Sequence, residues 1–453
     1  MQKGNYGLFT AITMIAGIVI GSGIFFKSDD VLLYTNGSVF LGVLVFVIAA
    51  FAIIFGCLAI SQLATRTDNP GGIIAYAEEF VNDKVASAFG WFQSFLYLPT
   101  LIAVVGTVSG MYICQLFGIE GNSIIYCLIG LGAILVFFGF NMLSARFGGA
   151  FQNASMIIKL IPLLLIGILG FVYGKPGDII ASDVEMIRNT SIGTTWLAAF
   201  APIAFSFDGW IVATGISHEI RNSKRNLPIA LICAPIVILV AYLTYFIGIT
   251  SLVGPETVLA QGNESVYTAC NMIFGPSGSK ALLVFIIISV LGTLNGLIIG
   301  SIRQPYSLAI RKLMPGASAL SKESKKFNGM PVNSGLLSLV VSLAWLLVHY
   351  FTLEAGMQGD VSEIAVSVSY LNYCVLYYVV FKLARKGEIK NKFMGYVVPV
   401  MATLGSLIIV LGAASNKYFP IYLLICFAVM GVGYYFGAKS MKNETVMEVE
   451  MEA

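Results

Sequence analysis

Long apolar runs separated by short polar intervals fill this chain. Twelve runs are legible, at about 8–33, 39–64, 85–117, 123–141, 150–173, 194–217, 228–253, 281–313, 332–350, 361–384, 394–414 and 419–437. A helix needs about 20 apolar residues to cross a hydrocarbon core about 30 Å thick. The pattern predicts an all-α integral membrane protein with twelve transmembrane helices, here segments one to twelve, and leaves no room for a soluble domain. No small-residue cleavage site follows the first run, which is expected to stay in the mature protein.

Two runs are interrupted. Segment one reads Ala16-Gly17-Ile18-Val19-Ile20-Gly21-Ser22-Gly23-Ile24-Phe25-Phe26. Glycine weakens a helix and permits other backbone angles, so Gly17 and Gly21 mark a predicted break. Unwound backbone at membrane depth is tolerated only where it lines a cavity. The freed N–H groups of Ser22, Gly23 and Ile24 would then face an anion such as a carboxylate. Taken alone, the stretch also fits a glycine-rich packing face.

Segment six reads Ala201-Pro202-Ile203-Ala204-Phe205-Ser206-Phe207-Asp208-Gly209-Trp210, and Pro202 and Gly209 predict a second break. Asp208 either caps the inner half-helix or meets a substrate amino group. The aromatic residues suit a gate or packing. The two breaks lie five segments apart and therefore run in opposite directions. That is the pattern of two five-helix inverted repeats whose discontinuous helices meet at a midplane site. The expected organisation is a transport core over 1–384, with repeats at about 8–173 and 194–384. Segments eleven and twelve follow over 385–437, then a disordered cytoplasmic tail over 438–453.

Composition adds direction. Residues are 58% hydrophobic and 11% charged, with a net charge of +3. Nineteen of the 26 Lys and Arg fall in alternate loops, and five, Lys27 among them, on the opposite face. The positive-inside rule then puts both termini in the cytoplasm. The basic residues form no patch, so no nucleic-acid partner is expected. Lys159 stands inside segment five, about 13 Å deep at 1.5 Å per residue. A lysine there costs about 2.5–3.5 kcal/mol. It either locks two helices through carbonyls or acts as a fixed or titrating cation in a transport pathway.

Thr293 and Asn295 are polar at mid-depth of segment eight and are expected to face inward. Asn69-Pro70-Gly71-Gly72 is a turn signal. The following Ile73–Phe80 reads as a short amphipathic piece on the membrane surface. Seven cysteines read as small core residues. Two histidines sit at helix ends. Nothing suggests a metal site, a cofactor loop or a catalytic triad, so no metal, cofactor or enzyme activity is expected.

Gly-Ser-Gly-Ile-Phe in segment one resembles the amino acid–polyamine–organocation superfamily, of the LeuT-fold class. So do Phe-Ser-Phe-Asp-Gly-Trp in segment six, Glu219-Ile-Arg-Asn with Arg225-Asn-Leu-Pro after it, and Leu294-Asn-Gly with Arg303 in segment eight. With Lys159 the chain resembles the L-type amino acid transporter family. More narrowly it is similar to the bacterial alanine–serine–cysteine and serine/threonine exchangers. The resemblance implies a sodium-independent exchanger of small neutral amino acids such as alanine, serine, cysteine and threonine, working by alternating access in the inner (plasma) membrane. The substrate carboxylate would sit on the N–H groups of Ser22, Gly23 and Ile24. Its ammonium would meet carbonyls near Val19 and of Phe205, Ser206 and Asp208. Phe205 would close the outer side, and Lys159 would replace a sodium ion by bridging segments one and eight.

Animal relatives pair with a heavy subunit through a cysteine between segments three and four. The Gly118–Ser123 loop has none, so membrane lipid and small substrates are the only expected partners. Asp208 also occurs where some relatives accept cationic amino acids. A proton-coupled symporter of the same fold, with Lys159 titrating, is the alternative. A receptor would need a signalling domain, and a channel would need charged rings or a carbonyl filter.

Overall fold

The computed structural model describes residues 7–21, 23–67, 72–143, 151, 154–155, 158–177, 179, 181, 183–184, 193–211, 220–327, 329–357 and 360–452, the stretch 441–452 by backbone alone. The first apolar run is two helices, α1 (Leu8–Val19) and α2 (Gly23–Tyr34). Ser38 caps α3 (Val39–Ala64) by accepting from Leu41 N at 3.1 Å. A short helix, α4 (Ile73–Phe80), precedes α5 (Asp83–Phe92), which passes through a wide π-turn, Gln93–Tyr97, into α6 (Leu98–Phe117). Then come α7 (Ser123–Leu143) and α8 (Leu160–Tyr173). A 3₁₀ turn, Thr195–Ala199, leads into α9 (Phe200–Ser206).

The second half continues with α10 (Ser223–Val253), the hairpin helix α11 (Pro255–Gln261) and α12 (Ser265–Ile310). Gly275, at φ 66°, kinks α12. The last four are α13 (Val332–Glu354), α14 (Val361–Arg385), α15 (Val398–Ala413) and α16 (Phe419–Glu452). Among the described residues, nine helices are long and apolar enough to cross a membrane, and Leu160–Tyr173 and Thr195–Ser206 are shorter apolar helices.

Lipid supplies no hydrophobic drive for helices to associate, so small residues that let backbones touch carry the packing. A Cβ on Gly170 of α8 would lie 2.2 Å from Gly248 Cα of α10. A Cβ on Gly110 of α6 would lie 2.1 Å from the Tyr126 carbonyl of α7. These crossings hold α8 against α10 and α6 against α7, around a core to which α1, α2, α3, α6, α9, α10, α12 and α14 all contribute.

Several expectations need correction. The apolar residues of α4, Ile73 to Ala77, are buried against protein and not laid on a membrane surface. Its Glu78 accepts from Arg311 Nε at 2.8 Å, tying α4 to the inner end of α12. Helix α10 begins at Ser223, before the apolar run, and carries Pro228 and Pro235 inside it. Helix α16 continues to Glu452 where a disordered tail was expected. Met, Glu and Lys dominate that stretch and favour helix. The turn at Asn69-Pro70-Gly71 lies outside the described residues.

Gly170→Ala would press a methyl into the backbone of α10. Overpacking of this kind costs about 1–3 kcal/mol. The unfolding temperature of the solubilised protein is expected to fall by several degrees. An unchanged temperature would show that the crossing is looser than the structure places it.

Candidate functional site

The breaks set the centre. Ile20 leaves the helical region (φ −65°, ψ 97°), and α2 restarts at Gly23. Gly17 lies inside α1, while Gly21 lies in the break and Ser22 lies outside the described residues. In segment six, α9 ends at Ser206, Phe207–Gly209 turn, and Gly209 adopts φ 96°. Pro202 falls in the first turn of α9, where its missing N–H is not needed.

Close approach explains the glycines at 21 and 23. A Cβ on Gly23 would stand 3.0 Å from the Phe205 ring and 3.1 Å from Ser206 Cα. A Cβ on Gly21 would stand 3.0 Å from the Thr293 hydroxyl of α12. Ile24 follows, fully buried. Segments one, six and eight therefore meet at the two interruptions.

Backbone oxygens around the breaks are bonded from other helices. Buried Lys159 donates from Nζ to the Gly17 carbonyl at 2.5 Å. Segment five also meets segment eight where Gly292 faces Ser155: a Cβ on the glycine would be 2.3 Å from the Ser155 hydroxyl. The Tyr242 hydroxyl of α10 lies 2.7 Å from the Ser206 carbonyl and 3.3 Å from that of Val19. Asp208 N donates to the Phe205 carbonyl at 3.0 Å. The Asp208 carboxylate accepts from the Tyr97 hydroxyl, and Tyr370 and Tyr373 of α14 interact with it electrostatically. Tyr97 is the last residue of the π-turn; such turns often occur at functional sites.

Above the breaks, Lys27 of α2 lies 5.4 Å from the centre of the Phe205 ring. Its ammonium meets Glu363 at 2.5 Å, Asp360 at 2.7 Å and Asp30 at 3.2 Å. Asp360 also caps α14, accepting from Ser362 N at 2.8 Å. Burial pushes the Asp360 carboxyl up, but Lys27 and His349 together hold it below the ordinary carboxylate value. This cluster joins α2 to α14 beside Phe205. Lys27, counted in the sequence as an outer-face lysine, is 3% exposed.

Residues 6–435 match the family model described as amino acid permease. The chain belongs to that family. The permease is 27% identical over 446 residues to the serine/threonine exchanger SteT of Bacillus subtilis, covering 97% of this chain and 98% of that one. It is 26% identical to the b(0,+)-type amino acid transporter 1 of Mus musculus, covering 96% and 88%. A crystal structure of MhsT in complex with L-phenylalanine superposes with a TM-score of 0.60 at 13% identity, covering 91% of this chain and all of that one. That match shows the fold, which is of the LeuT type. The permease is thus a multi-pass membrane transporter of amino acids and not an enzyme.

Sequence reading of the permease missed Lys27 with its three carboxylates, and missed Tyr97 and Tyr242. A signal existed for the first: Lys27, Asp29 and Asp30 stand inside an apolar run, and intramembrane charge is kept for function. Tyrosine in apolar helices is common, so Tyr97 and Tyr242 carried no comparable signal.

Tyr242→Phe leaves the Val19 and Ser206 carbonyls without that donor. One such bond is worth about 1 kcal/mol, or roughly fivefold. Amino acid turnover per reconstituted protein is expected to fall by that factor. Unchanged turnover would remove Tyr242 from the site.

Proposed function

We propose that the permease is a sodium-independent exchanger of small neutral L-amino acids such as alanine, serine, cysteine and threonine. The observation that carries this reading is the buried Lys159 ammonium bonded to the Gly17 carbonyl. A fixed positive charge beside the break in segment one does the work a sodium ion would otherwise do. The substrate carboxylate would rest on the N–H groups of Ser22, Gly23 and Ile24, at the start of α2. Its ammonium would meet the Val19 and Ser206 carbonyls beside the Tyr242 hydroxyl, with those of Phe205 and Asp208 nearby. Phe205 would close over it, latched by Lys27. Similarity to SteT supports hydroxylated and small substrates.

Alternating access then follows from the Lys27 cluster. Outward opening requires α2 to leave α14, which breaks the two ion pairs of Lys27 with Asp360 and Glu363. Twelve spans, both termini in the cytoplasm, residence in the plasma membrane and function without a heavy subunit complete the proposal. Asp208 supports a second reading, in which cationic amino acids are also accepted, because its carboxylate lies beside the site. The proton-coupled alternative would need Lys159 to release its proton.

The test uses purified protein in liposomes and sodium-free buffer. Labelled serine or alanine is expected to enter only when unlabelled amino acid is inside, and Lys159→Ala is expected to reduce uptake at least tenfold. Uptake into empty liposomes driven by a pH gradient would overturn exchange in favour of symport. Arginine that competes with serine in the native protein, but not in Asp208→Asn, would establish the second reading.

A further inference from the structure

We propose that Asp29, Tyr112, Tyr245 and Asn263 form a binding site for a monovalent alkali cation, reached from an acidic cavity on the outer face. The cavity, of about 470 Å³, lies between the outer end of α6 and the start of α12. Gln115, Glu120, Tyr126, Asn263 and Glu264 are among its lining residues, and no Lys, Arg or His lines it. Its charge therefore favours cations.

Behind it lies Asp29 of α2. The chain at Gly262 closes on this residue: a Cβ there would be 3.0 Å from Asp29 Oδ2. Tyr112 of α6 and Tyr245 of α10 are wholly buried. Both interact electrostatically with Asp29. Neither hydroxyl has a hydrogen-bond partner among the described residues, and the same holds for Asp29 Oδ1 and Asn263 Oδ1. Asp29 and the two phenols within electrostatic reach of it thus carry three unbonded oxygens, and Asn263, which follows the glycine that closes on Asp29 and lines the cavity, carries a fourth. Buried polar atoms are normally bonded, so their convergence points to a ligand.

The donors choose its class. One carboxylate, two phenols and one amide carbonyl are hard oxygen ligands with a single negative charge. Transition metals prefer imidazole or thiolate, and calcium takes more carboxylate. Among the described residues Lys27 is the cation that interacts with Asp29, and it is already shared among Asp30, Asp360 and Glu363. Asp29 and Asp30 are adjacent, so α2 faces the cavity with one acid and the Lys27 cluster with the other. A cation at Asp29 would tie α2 to α6 and α10 while Lys27 ties it to α14. The cation stays on the outer face and is not carried, so exchange does not depend on it.

The test compares thermal unfolding of the full-length protein in NaCl, KCl and N-methyl-D-glucamine chloride at equal ionic strength. Sodium or potassium is expected to raise the unfolding temperature saturably, by several degrees, over N-methyl-D-glucamine. Tyr245→Phe is expected to raise the half-saturating concentration roughly tenfold, and Asp29→Asn to abolish the shift. Tyr112→Phe gives the same readout if Asp29→Asn does not fold. Equal temperatures in all three salts, or an undiminished shift in Asp29→Asn, would overturn the site. Stability that follows pH and not the salt would also overturn it, making Asp29 a protonated acid. Exchange in salt-free liposomes reads the transport proposal separately.

Discussion

A peptide group left bare inside a bilayer has to be bonded by something, and the two interrupted helices place that demand at the centre of the permease. Water cannot meet it, and lipid offers no donors. The permease answers with side chains from neighbouring helices: Lys159 on Gly17, and Tyr242 between Ser206 and Val19. Each such bond fixes one helix against another. The cost of breaking two helices is thereby turned into the positions of α1, α8, α9 and α10.

This constraint explains what the sequence could reveal. Breaks are local events, so glycine and proline announce them, and Gly21 and Gly209 do stand in the interruptions. Gly17 and Pro202 belong to the same signal but lie inside helices, because a glycine in mid-helix is tolerated and a proline in a first turn is harmless. Lys159 was legible because charge at membrane depth is rare. Partners were not legible. Nothing in the order of residues brings Tyr97 of the third segment to Asp208 of the sixth, or Glu363 of the tenth to Lys27 of the first. Those meetings belong to the fold, and chain pattern alone does not give them. Family resemblance supplied the fold but not these side chains.

The same distinction separates the two ends of the site. At the breaks it is made mostly of backbone, packed closely enough that Gly21 and Gly23 leave little room for a Cβ. Beyond Phe205 it is made of charged residues, Lys27 with Asp30, Asp360 and Glu363, and the pairs with Asp360 and Glu363 depend on α2 and α14 being close. An ammonium among three carboxylates inside protein is strongly held when the helices touch and strongly hydrated when they part. Intermediate separations satisfy neither condition, which favours two discrete states of the outer side over a continuum.

The wide turn at Gln93–Tyr97 has a consequence for how the protein can vary. A π-turn holds one residue more than the helix would, so the faces on its two sides are out of phase by about 100°. Below it, α5 packs on α16; above it, α6 presents Gly106 and Gly110 to α7. The extra residue lets each half satisfy its own neighbours without a shared helical phase, and it leaves Tyr97 at the junction as the phase marker. The packing of α5 on α16 and of α6 on α7 is geared separately along one helix, so drift in one need not be transmitted to the other.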